Sequence, residues 1–107
     1  MTELPVALVR AVSGGEARAF EVDGREIVLC EVDGEICALS AICTHEDLSL
    51  EGGAVEDGVL TCPWHGAQYD VRTGRVLALP AVRPLPTFRT RVEDGRVWVD
   101  LDRPGGD

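Results

Sequence analysis

The sequence predicts an all-β protein, and two observations carry that expectation. Asp-Gly occurs four times, at Asp23-Gly24, Asp33-Gly34, Asp57-Gly58 and Asp94-Gly95, each time between runs with apolar or β-branched residues. Asp-Gly supplies the positive φ angles of a type I′ turn, the tightest hairpin connection. In addition, no segment sustains an apolar repeat of 3.6 residues. A length of 107 residues suits a single domain, expected over residues 1–107.

Taken in order, the turns predict hairpins at Ala17–Val22/Arg25–Val32, Arg25–Val32/Glu35–Ser40, Ala54–Glu56/Val59–Thr61 and Leu85–Val92/Arg96–Leu101. The strands would be short, antiparallel and packed as a sandwich or barrel. The best helix start is Thr44-His45-Glu46-Asp47, a possible capping box, which meets Gly52-Gly53 within two turns. From about residue 41 to 84 the strand rhythm breaks, and Gly and Pro become frequent. A loop-rich segment in a small β domain is either floppy or organised around something. The end, from Arg103 to Asp107, reads as a frayed tail.

Charge and composition remove several classes of function. The formal net charge is −9. Nucleic acid, held by Lys and Arg on phosphates, and anionic membrane surfaces are both poor partners for such a chain. No apolar run could span a bilayer, and MTELPVALVR does not read as a secretion signal, so a cytoplasmic protein is expected. In that compartment, four cysteines point to metal or redox chemistry before disulfides.

The loop-rich segment holds both histidines of the chain, each beside a cysteine: Cys43-x-His45 and Cys62-x-x-His65. Thiolates and imidazoles together suit zinc, copper or an iron–sulfur cluster. A structural zinc finger usually brings its two cysteines from one knuckle and its two histidines from a helix turn. Here each arm brings one of each. On an extended loop the side chains of Cys-x-His diverge, which suits two metal atoms side by side. No Ser/His or acidic dyad remains for catalysis once both histidines are ligands.

This constellation resembles the Rieske [2Fe–2S] proteins. The matching residues are Cys43-x-His45, sixteen intervening residues, Cys62-Pro63-x-His65-Gly66, then Tyr69-Asp70, Thr73-Gly74 and the run from Pro80 to Leu85. The resemblance implies three antiparallel sheets with a cluster-binding subdomain at about 41–84. It implies one [2Fe–2S] cluster, with Cys43 and Cys62 on the buried iron and His45 and His65 on the outer one. Replacing two thiolates by neutral imidazoles takes the oxidised cluster from a net charge of −2 to 0, which eases reduction. Rieske potentials accordingly run from about −150 to +300 mV, against about −400 mV for plant-type ferredoxins.

Within the family, the high-potential branch has two further cysteines where this chain has Leu48 and Trp64, and a serine where it has Ala67. Losing that donor lowers the potential. Tyr69 occupies the place of a second donor. The balance resembles the ferredoxin component of bacterial aromatic-ring-hydroxylating dioxygenase systems. That implies a monomeric one-electron carrier between a flavin-containing NAD(P)H-dependent reductase and a terminal oxygenase. The rival readings are a small Rieske subunit of a larger oxidoreductase, such as an assimilatory nitrite reductase, and a structural zinc-binding module.

The remaining marked residues have plainer expectations. Trp64 would pack in place of the missing disulfide. Gly52, Gly53, Gly66 and Gly74 would permit tight turns beside the cluster. Pro80 and Pro84 would stiffen a covering loop, and Trp98 would be a strand residue. A two-residue turn at Asp33-Gly34 pairs Val32 with Glu35, Glu31 with Ile36 and Cys30 with Cys37. It leaves two spare thiols facing each other, free and buried. Glu46, Asp47, Glu51, Glu56 and Asp57 would form an acidic flank beside an apolar tip, CPWHGAQY.

Overall fold

The computed structural model describes residues 3–12, 15–42, 49–64, 66–78 and 83–101. Ten strands account for most of them, and no α-helix occurs among the described residues. The capping-box segment Thr44–Asp47 lies outside the described residues.

The predicted hairpins form, with the strand expected from Ala17 beginning at Arg18 and the one expected from Leu85 beginning at Thr87. Strands β2 (Arg18–Val22), β3 (Arg25–Val32) and β4 (Glu35–Ser40) make one antiparallel meander. Strands β5 (Ala54–Glu56) and β6 (Val59–Thr61) make a second hairpin, and β9 (Thr87–Glu93) and β10 (Arg96–Asp100) a third. At all four turns the aspartate itself takes a positive φ, 51° to 54°, and the glycine follows at 74° to 83°. Both central residues of a type I′ turn require this.

Three strands fall outside the Asp-Gly pattern. β1 (Glu3–Leu8) pairs with β10 from the other end of the chain, and leads into a single 3-10 turn at Val9–Ala11. β7 (Gln68–Asp70) and β8 (Val76–Ala78) extend the β5–β6 hairpin.

The strands form two antiparallel sheets. One has six strands in the order β1-β10-β9-β4-β3-β2, and the other four in the order β5-β6-β7-β8. The larger sheet consists of two three-stranded halves, joined by a short ladder where Ala38 meets Phe88 and Leu39 meets Thr87. The expected three sheets are thus present, with two of them fused by a short ladder. The chain leaves the large sheet after β4, builds the small sheet, and returns as β9. The backbone also ties the sheets together: Glu16 bridges Ala54, the Ala17 amide donates to the Gly53 carbonyl at 2.8 Å, and Gly52 donates back to Ala17 at 2.8 Å.

β3 explains why IVLC is continuously apolar. Ile27 and Leu29 face one core, with Val22, Ala38, Val97 and Val99. Val28, Cys30 and Val32 face the other, with Leu39, Leu50, Leu60, Cys62, Tyr69 and Leu85. A strand buried on both faces loses the polar alternation of a surface strand. Trp98 sits half-buried on β10, an interior strand, with the Arg91 guanidinium 5.3 Å from its ring centroid.

The β3–β4 register is Val32–Glu35, Glu31–Ile36 and Cys30–Cys37, and both cysteines are free thiols. Burial, and then the neighbouring Cys37, push the Cys30 thiol up to about 12. Cys37 is only half-buried. Burial raises its pKa too, against the opposing pull of Arg72, while Glu35 and Asp70 add to the rise. The thiolate is the reactive form, and the fold disfavours it at both positions. Alkylation of native protein at pH 8 is therefore expected to spare Cys30 and to modify Cys37 slowly, while denatured protein labels at both. Peptide mass spectrometry reads this directly. Rapid native labelling of Cys30 would contradict its place in the core.

Candidate metal centre

Two loops rise from the junction of the sheets, and each is closed at its foot. The first leaves β4 through Ala41 and Ile42. The Ala41 amide donates to the Glu26 carbonyl at 3.0 Å, Leu50 donates back to Ala41 at 2.7 Å, and Ile42 bridges Ser49. Ile42 and Ser49 therefore lie side by side. Cys43 and His45 belong to this loop and lie outside the described residues, as do Glu46, Asp47 and Leu48.

The second loop leaves β6 at Cys62. The Cys62 amide donates to the Ala67 carbonyl at 2.7 Å, and Gly66 donates to the Cys62 carbonyl at 3.1 Å. Gly66 takes φ +77°, which lets so short a loop turn back. Cys62 is 2% exposed and Ala67 and Tyr69 are fully buried, whereas Trp64 is 59% exposed. His65 lies outside the described residues.

A third connection returns beside these two. Leu85 donates its amide to the Gly74 carbonyl at 2.8 Å and buries its side chain in the same core as Cys62. Gly74 takes φ +78°, and a Cβ there would stand 2.0 Å from the Leu85 carbonyl oxygen. Gly53 has ordinary φ but is equally confined, since its Cβ would meet the Thr61 carbonyl oxygen at 2.7 Å. Pro84, just before Leu85, is exposed, and Pro80 lies outside the described residues.

Trp64, expected to pack in place of the missing disulfide, is exposed, and its indole Nε1–H donates to the Ser49 carbonyl at 3.0 Å, so the second loop reaches the foot of the first. One expectation is corrected: the acidic flank is smaller than expected. Glu51 accepts the Ala19 amide at 2.6 Å, so its carboxylate serves the edge of β2. Asp57 belongs to the β5–β6 turn, at the opposite end of β6 from Cys62, where it lines a shallow groove with Glu31, Asp33 and Arg72. Arg72 there forms ion pairs with Asp33 and Glu35, both at 3.3 Å, and so connects the small sheet to the β3–β4 hairpin. Neither Arg72 in this role nor Ser49 was signalled by the sequence.

Of the four ligand positions, Cys62 is the one within the described residues. It fits a metal group: a sulfur at the end of a strand, shielded from below by Leu50, Leu60, Ala67 and Tyr69. A thiolate in such surroundings needs a cation beside it. The Trp64–Ser49 bond brings the second loop to the foot of the first.

The chain matches the Rieske [2Fe-2S] domain family over residues 2–89. It belongs to that family. The Rieske chain is 43% identical over 88 residues to the ferredoxin component of biphenyl 2,3-dioxygenase from Rhodococcus jostii, covering 82% of each. Its fold matches the ferredoxin of carbazole 1,9a-dioxygenase from Nocardioides aromaticivorans with a TM-score of 0.87 and 30% identity, over 94% of this chain and 98% of that one. A chain from the complex of reduced oxygenase and oxidized ferredoxin in carbazole 1,9a-dioxygenase matches with a TM-score of 0.83 and 29% identity, over 92% of each. The cofactor of this Rieske domain is one [2Fe–2S] cluster.

The two loop glycines separate conformational strain from collision. A Cβ at Gly66 meets nothing within 4 Å, whereas one at Gly74 strikes the Leu85 backbone. Gly66→Ala is expected to cost about 1–2 kcal/mol for its left-handed backbone. Gly74→Ala adds an overpacking cost of about 1–3 kcal/mol. Urea unfolding of both variants tests the order, and equal midpoints would contradict it.

Proposed function

We propose that this chain is a one-electron carrier. It takes an electron from a flavin-containing, NAD(P)H-dependent reductase and passes it to the terminal non-haem iron oxygenase of an aromatic-ring-hydroxylating dioxygenase system. The observation that carries this reading is 43% identity to the ferredoxin component of a biphenyl 2,3-dioxygenase, over 82% of each chain. No catalytic step is assigned to the chain itself. Residues 1–107 act as one Rieske domain, with its cluster-binding subdomain at about 41–84. No helix among the described residues is long and apolar enough to cross a membrane, and we place the protein in the cytoplasm as a monomer. The family match displaces the zinc-binding module as an alternative.

Cys43, His45, Cys62 and His65 would hold the cluster, which would supply a one-electron redox centre. The chain supplies the surroundings. Leu50, Leu60 and Tyr69 keep water from the underside at Cys62. Ala67, fully buried beside Cys62, offers no hydroxyl to stabilise added negative charge. The exposed Trp64 precedes His65 at the loop tip, where a partner can approach.

The ligand assignment has a spectroscopic test. Purified protein is expected to hold about two irons and two labile sulfides. After dithionite reduction it should give a rhombic EPR signal with a low average g, because nitrogen ligands alter the reduced iron. His45→Ala and His65→Ala should each abolish that signal. An intact Rieske spectrum in either variant would defeat the assignment.

The absent hydroxyl at Ala67 sets the potential. The midpoint should lie near the low end of the family range, about −150 mV. Ala67→Ser should raise it by on the order of 40 mV, the equivalent of one hydrogen bond of about 1 kcal/mol for one electron. Protein-film voltammetry measures both values. A wild-type midpoint above zero would place the protein in the other branch.

A further inference from the structure

The two loops are each closed at the foot, but neither closure fixes the distance between them. The Ile42–Ser49 bridge belongs wholly to the first loop, and the Cys62–Ala67 bond wholly to the second. The bond from the Trp64 indole to the Ser49 carbonyl runs from one to the other at 3.0 Å.

Both partners are held for this contact. The Ser49 carbonyl shares a peptide group with the Leu50 amide, and that amide donates inward to Ala41 at 2.7 Å. In a trans peptide the carbonyl points the opposite way from the amide. The Ser49 oxygen therefore faces outward, and Trp64 provides its partner. The Ser49 hydroxyl oxygen also accepts the Glu51 amide at 3.1 Å, which steadies the same turn. On the other side, the indole is 59% exposed, so burial alone does not explain its orientation. It gives up solvent-facing freedom to place one N–H. A Trp side chain has only two rotatable bonds, so the contact costs little conformational entropy.

We propose that Trp64 is a positioning residue, whose indole N–H holds the two ligand loops at a fixed separation through the peptide group between Ser49 and Leu50. The proposal rests on the assignment of Cys43, His45, Cys62 and His65 as ligands. Without the N–H, the pairing of Ala54 with Thr61 and the shared core still hold the two feet, but the parts of the loops beyond them can drift relative to each other. The apoprotein should hardly register the change, because the loop feet and both cores remain. The holoprotein should register it, because its four ligands must converge.

The test compares wild type with Trp64→Phe, which keeps a ring and removes the donor, and with Trp64→Ala. Visible absorbance of anaerobic holoprotein is followed in excess iron chelator, and apoprotein melting is recorded separately. Trp64→Phe is expected to lose its cluster about fivefold faster, corresponding to a net bond of about 1 kcal/mol at 1.4 kcal/mol per tenfold. Its reduced EPR lines should broaden, while its apoprotein melts with wild type. Trp64→Ala should lose the cluster at least as fast. A well-folded Trp64→Phe apoprotein that takes up no cluster would support the same conclusion more strongly. A wild-type loss rate in Trp64→Phe would overturn the proposal. So would an apoprotein melting temperature that falls in step with cluster loss, since that marks a general brace. Wild type lacking a [2Fe–2S] spectrum would instead sink the ligand assignment, and this proposal with it.

Discussion

Leu50 donates its amide to Ala41 and Cys62 donates its amide to Ala67, and the rest of the architecture serves these two short backbone bonds. Loops that present ligands cannot spend their own backbone on a ladder, so their ends must be held. Both bonds lie where the loops meet buried residues: Ala41, Leu50, Cys62 and Ala67 all belong to one core. Water therefore competes poorly for them, and a hydrogen bond in such surroundings is stronger than one at the surface. Each proposed ligand loop is thus flanked by packed residues and closed by a bond between buried ones.

That core exists because β3 is buried on both faces. One face fills the large sheet, through Ile27 and Leu29, and the other fills the space under the small sheet, through Val28, Cys30 and Val32. A single strand thus serves two cores in a chain of only 107 residues. Cys62 is packed within the second of them, so one ligand position is continuous with the hydrophobic interior. The free thiol pair at Cys30 and Cys37 follows from the same arrangement. Cys30 is a small apolar filler on the buried face, and its register partner reaches the edge of a groove lined also by Arg72 and Phe88.

The sequence made the local part of this legible. Asp-Gly announces a hairpin by its backbone requirement alone, and all four aspartates do take positive φ. The turns at Gly66 and Gly74 were readable for the same reason: the constraint lies within a few residues. What escaped was non-local or carried by the backbone. Pro5 and the mixed pattern of ELPVAL give no strand signal, because β1 depends on a partner at the far end of the chain. β7 and β8 have three residues each, too few to show a period. Trp64 stands where a disulfide is missing, which suggests a contact between the loops, but its acceptor is a peptide carbonyl that no residue type encodes. Asp57 looked like part of an acidic flank until the direction of β6 carried it away from Cys62.

The pairing of β1 with β10 sets an order of assembly. Each meander can zip from its own turn, since its contacts are local. β1 must wait, because Glu3 opposes Asp100 and Leu8 opposes Arg96. On a ribosome the small sheet and both ligand loops emerge while the first strand still has no neighbour on its open side. The cluster-facing core can therefore consolidate before the large sheet is completed. Until β10 arrives, Leu4 and Val6 have no Val97 and Val99 to pack against, and the first strand is a sticky edge awaiting the last one.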